Sequence, residues 1–73
     1  MISEYMERFA DNLRLAINER GVSVNEFSKK VGIPQQTISR YINCQREISF
    51  YNLCKIADFL DEDIDALIGR KGR

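Results

Sequence analysis

From Ser3 to Arg20 the apolar residues Met6, Phe9, Leu13, Ala16 and Ile17 return every three or four positions, the repeat of a helix with one buried stripe. Gly21 is placed to stop it. A second helix is expected from Ser23, because Ser23-Val24-Asn25-Glu26 has the form of a capping box. Val24, Phe27 and Val31 then face inward, and Gly32 ends the helix. Pro34 suits the first position of a third helix carrying Gln35 to Asn43, with Ile38, Tyr41 and Ile42 as its apolar positions. Ser49 predicts the cap of a fourth helix through Leu60, with Phe50, Leu53, Ile56, Ala57 and Leu60 inward. Asp63 is expected to cap a short fifth, Ile64 to Ile68, closed by Gly69, and the end Arg70-Lys71-Gly72-Arg73 is expected to fray. The pattern contains no strand, and the expected class is all-α with five helices in a single domain over residues 1–73.

The third helix is apolar on one side and crowded with hydrogen-bonding groups on the other: Gln35, Gln36, Thr37, Ser39, Arg40 and Asn43. A helix, a turn of three or four residues and a second helix rich in amide and guanidinium groups is the arrangement that sets a recognition helix into the major groove of DNA. A Gln amide can pair in bidentate fashion with adenine, and an Arg with guanine O6 and N7. Gln36 and Arg40, four residues apart, share a face and can read neighbouring base pairs.

The run from Ser23 to Tyr41 resembles the helix-turn-helix of the Xre/Cro/lambda-repressor-like family, and the likeness extends over nearly the whole chain, through Ile48 to Leu60 and Asp63 to Ile68. It implies a five-helix lambda-repressor-like domain with the motif at helices 2 and 3. It also implies base contacts from Gln35, Gln36, Thr37 and Arg40, with Ser39 among the DNA-binding residues, a phosphate contact from Asn43, and Arg46 in a loop that follows the DNA backbone. Val24 stands where many relatives carry a Gln that touches phosphate, so that contact is either missing or made by Ser23 or Asn25. Cys44 stands where relatives carry Gly, which puts a left-handed cap there in doubt. Relatives often pair an Arg in the first helix with a Glu at the end of the recognition helix. The matching residues here are Ile17 and Ile42, and a joint change of that kind predicts that the two meet.

Overall charge complicates a DNA-binding reading, because eleven basic residues balance eleven acidic ones. The distribution restores it. Residues 20–56 hold Arg20, Lys29, Lys30, Arg40, Arg46 and Lys55 against Glu26 and Glu47, a net of +4, while Asp58, Asp61, Glu62, Asp63 and Asp65 crowd into one stretch. The expected molecule has a positive and a negative side. Lys29 and Lys30 are either solvated charges or phosphate contacts.

Other chemistries find little support. With no histidine and two cysteines, Cys44 and Cys54, the chain lacks a zinc-ligand pattern, and no Gly-rich phosphate loop is present. No enzyme, cofactor or small-molecule effector is expected. No apolar run approaches the roughly 20 residues that cross a bilayer, and Glu4 and Glu7 stand where a signal peptide would be basic, so a cytoplasmic protein is expected. One recognition helix reads few base pairs, which predicts a homodimer on a palindromic double-stranded DNA operator. Resemblance implies a dimer surface toward the C-terminal helices, with Phe59, Ile64, Leu67 and Ile68 as candidates, most of which core packing explains equally well. The rival reading is a protein-interaction module, an antitoxin or accessory subunit, docking through an apolar patch around Tyr5, Tyr51 and Phe59.

Overall fold

The computed structural model describes residues 2–70. Its elements are α1 (Glu4–Arg20), α2 (Val24–Val31), α3 (Gln35–Ile42), α4 (Phe50–Leu60) and α5 (Ile64–Leu67), with no strand among the described residues. The expected end at Lys71-Gly72-Arg73 lies outside them.

Local chemistry sets most helix ends. Ser3, Ser23 and Ser49 each hold extended backbone and accept a hydrogen bond from the amide three residues on. At Ser23 the capping box is complete, since Glu26 accepts from the Ser23 amide at 3.0 Å. That backbone hydrogen bond holds the Glu26 carboxyl below its ordinary pKa, against a smaller opposing effect of desolvation and with help from Lys30 and Lys29. Pro34 sits one position earlier than expected, as the residue preceding α3 (ψ 144°), and Asn43 follows the helix instead of belonging to it. Asp63 holds the capping position of α5 without making a side-chain capping bond. Arg70, expected to fray, donates its amide to Asp65 O at 2.8 Å.

Gly32 ends α2 at φ +79°, a left-handed conformation that costs an L-residue about 1–2 kcal/mol. A Cβ at this position would meet nothing nearer than Lys55 Nζ at 3.5 Å, so space is not the obstacle. Gly32→Ala should therefore lower stability by about 1–2 kcal/mol through backbone conformation alone. Urea unfolding with a shifted midpoint and an unchanged slope would show it.

At the end of α3 the left-handed residue is Cys44 itself (φ +55°). Gln45 N–H returns to Arg40 O at 2.8 Å across it, and Cys44 N–H to Tyr41 O at 3.0 Å, so the glycine-type cap forms without glycine. Burial, followed by Glu7, Glu47 and Asp11, pushes the Cys44 thiol above its ordinary pKa, which disfavours the reactive thiolate.

The core joins all five helices: Met6, Phe9, Leu13 and Ile17 from α1, Phe27 and Val31 from α2, Ile38 and Tyr41 from α3, Ile56, Ala57 and Leu60 from α4, and Leu67 from α5. Each large side chain removed from water contributes about 1.5–3 kcal/mol. Ile17 is buried in this cluster and Ile42 is half-buried against it. Phe50 departs from expectation. It lies in the first turn of α4 and is 76% exposed.

Candidate nucleic-acid interface

Three residues, Gly32, Ile33 and Pro34, join α2 to α3. Ile33 is buried, so the turn is pinned to the core from within. Its outer side is fastened by Lys55 of α4, whose ammonium donates to Gly32 O at 2.9 Å and lies 5.3 Å from the Tyr51 ring centroid. A cation on the last carbonyls of α2 also complements the negative end of that helix.

Two more side chains hold α3 against the body of the protein. Asn52 Nδ2 of α4 donates at 2.9 Å to the hydroxyl of Tyr41, whose ring is buried edge-on to Phe9. Arg14 Nη2 of α1 donates at 2.8 Å to Ile42 O, the last carbonyl of α3, while its Nη1 bonds Asp11 at 3.3 Å. α3 is thus tethered at the turn before it and at its last two residues, Tyr41 and Ile42. None of Lys55, Asn52 or Arg14 carries a sequence signal for this role, since each partner is distant in the chain.

With Ile38 and Tyr41 turned to the core, helical spacing puts Gln36, Ser39, Arg40 and Asn43 on the opposite face. Gln35, Gln36, Arg40 and Asn43 are exposed, whereas Thr37 and Ser39 are half-buried. Among the described residues, none of these six side chains is committed to an intramolecular hydrogen bond. Arg46 is exposed in the loop between α3 and α4. At the start of α2 both Ser23 and Asn25 are exposed. The Ser23 hydroxyl already accepts from the Glu26 amide at 3.1 Å, and Asn25 O receives the Ser28 hydroxyl at 2.7 Å, which leaves the Asn25 side chain the freer of the two. Val24 is half-buried against the core, in keeping with an apolar role.

Charge is arranged to the same end. The ion pairs among the described residues, Arg8 with Glu4 and Arg14 with Asp11, lie within α1. Lys29, Lys30, Arg40 and Arg46 are exposed and take part in none of them. Arg20 instead stacks over Phe59 at 5.1 Å. Asp58, Asp61, Glu62, Asp63 and Asp65 are all exposed along the end of α4 and α5.

The residues expected at a dimer surface are largely taken by the core: Leu67 is buried, and Phe59, Ile64 and Ile68 are half-buried against it. Phe59 meets Phe27 edge-to-face at 5.5 Å, so of the anticipated apolar patch Tyr5 and Tyr51 are exposed and Phe59 is not. No helix among the described residues is long and apolar enough to cross a membrane.

A profile of the helix-turn-helix family matches residues 13–67, which takes in α2, α3, α4 and α5 and the inner half of α1. No curated protein gives a significant match to the chain. On that coverage, and with five helices in the expected order, the chain belongs to the Xre/lambda-repressor-like helix-turn-helix family, a family of DNA-binding regulators and not of enzymes.

Proposed function

We propose that this protein is a sequence-specific regulator, of repressor type, that reads a palindromic double-stranded DNA operator as a homodimer with α3 in the major groove. Gln36 and Arg40 read base edges from the outward face, with Gln35, Thr37 and Ser39 beside them. Asn43 and Arg46 contact phosphates, as Asn25 does from the start of α2. The observation that carries the reading is the state of α3. Its inner face is buried, three side chains hold it, and its outward amides and guanidinium have no partner within the described protein. Polar groups held rigidly and left unpaired are what base readout requires.

A homodimer follows from energetics, since each mismatched base pair costs about 1–3 kcal/mol and one short helix meets too few of them. The half-exposed sides of Ile64 and Ile68 are available for a second copy. A repressor needs nothing beyond occupancy of the operator. A cytoplasmic location suits this role.

Selection of bound sequences from random duplex DNA tests the proposal. The expected result is a palindrome whose half-sites lie about one helical turn apart, with affinity falling steeply as salt rises. No enriched motif even at low salt would refute sequence-specific readout. Binding to a protein partner with little dependence on salt would favour the interaction-module reading.

A further inference from the structure

Glu47 is out of place on electrostatic grounds. In the basic part of the chain, residues 20–56, the acidic residues are Glu26 and Glu47, and Glu26 is accounted for by its capping box. Glu47 follows Arg46 in the exposed loop between α3 and α4, where a carboxylate beside DNA phosphates weakens binding. Its contacts explain its presence. One carboxylate oxygen accepts the Ser3 amide and the other accepts the Ser3 hydroxyl at 3.2 Å. The next residue, Ile48, directs its amide to the buried Met6 sulfur at 3.3 Å. Together with Arg14 on Ile42 O, these contacts run the segment 42–48 antiparallel along α1, with attachments at Arg14, Met6 and Ser3. Ser3 and Met6 precede the portion matched by the family profile. Beyond the backbone bonds that Asn43, Cys44 and Gln45 make to α3 and the packing of Cys44 and Ile48 against the core, the hydrogen bonds at Glu47 and Ile48 fasten the loop.

We propose that Glu47 is a positioning residue for DNA readout: by tying the α3–α4 loop to the start of α1 it fixes where Asn43 and Arg46 meet the phosphate backbone, and hence the register of α3 in the groove. This rests on the DNA-reading function proposed above. It opposes what charge alone dictates, because a mere acidic charge in the loop should, once removed, improve binding to any duplex.

The experiment compares wild type, Glu47→Ala and Glu47→Gln on the duplex selected by the wild-type protein and on an unselected duplex of equal length. Amide hydrogen exchange of the free proteins is measured alongside. Glu47→Ala should reduce the preference for the selected duplex about tenfold, the scale of one hydrogen bond to a charged group, while binding the unselected duplex as well as or better than wild type. Glu47→Gln keeps an acceptor for Ser3 without the charge, so it should recover most of the preference and bind both duplexes more tightly. Exchange at Ser3 and Ile48 should quicken in Glu47→Ala, with the helical circular dichroism unchanged. If Glu47→Ala tightens both duplexes equally, or leaves loop exchange as it was, the positioning role is overturned. If wild type itself shows no preference while the exchange still responds, the loop attachment stands and the readout proposal falls.

Discussion

Phe27→Ala should destabilise the protein by about 3–5 kcal/mol, the usual cost of emptying a buried phenylalanine site. Phe27 has no exposed surface, and its ring meets Phe59 edge-to-face at an interplanar angle of 86°. An aromatic pair of this geometry adds roughly 0.5–1.5 kcal/mol beyond burial. A chain of 73 residues has a total stability of roughly 4–11 kcal/mol on general experience, so this one truncation removes a large fraction of it. The melting temperature should fall by at least about 12 °C. Phe50→Ala supplies the control, because Phe50 is the same residue type lying outside the core. Its effect should stay within about 0.5 kcal/mol. Equal losses for the two variants would mean that the core extends to the first turn of α4.

Arg40→Ala and Gln36→Ala should each weaken binding to the selected duplex by about 1–3 kcal/mol and relax the base preference at a particular position. Both side chains are exposed on the outward face of α3, and no folding contact depends on them, so melting should hardly change. Arg46→Ala gives a different signature. A phosphate contact carries no sequence information, so its loss should weaken all duplexes alike and reduce the salt slope by about one unit. Binding isotherms at several salt concentrations, on selected and single-mismatch duplexes, separate these cases. If Gln36→Ala lowers affinity for every duplex equally, that side chain serves the backbone and the base-reading assignment fails.

Features that depend on near neighbours along the chain are legible from the amino-acid sequence. A serine hydroxyl reaching an amide three residues on, a glycine beyond the last turn and an apolar repeat of three and four are local devices, and they mark α1 to α4 within a residue or two. The outward face of α3 is legible for the same reason, being the complement of Ile38 and Tyr41. What escapes is whatever depends on distant partners or on where the core ends. The stripe through Phe50, Leu53, Ile56 and Leu60 is continuous in sequence, but the core stops short of the first of these. Cys44 lacks the usual signal for a left-handed residue, yet the hydrogen bond from Gln45 to Arg40 O keeps it there. Arg14, Asn52, Lys55 and Glu47 read as ordinary surface polar residues until the fold brings Ile42, Tyr41, Gly32 and Ser3 to them.

The brevity of α3 limits how much information one copy of this protein can extract from a genome. Eight residues at 1.5 Å each span about 12 Å, the axial length of three to four base pairs. A four-base word recurs by chance about once in every 256 positions, whereas two such words at fixed spacing recur roughly once in 65,000. For the proposed homodimer, target uniqueness would therefore reside in the separation between two short readers. A change that leaves every base contact intact but alters that separation should redirect the protein to a different set of sites.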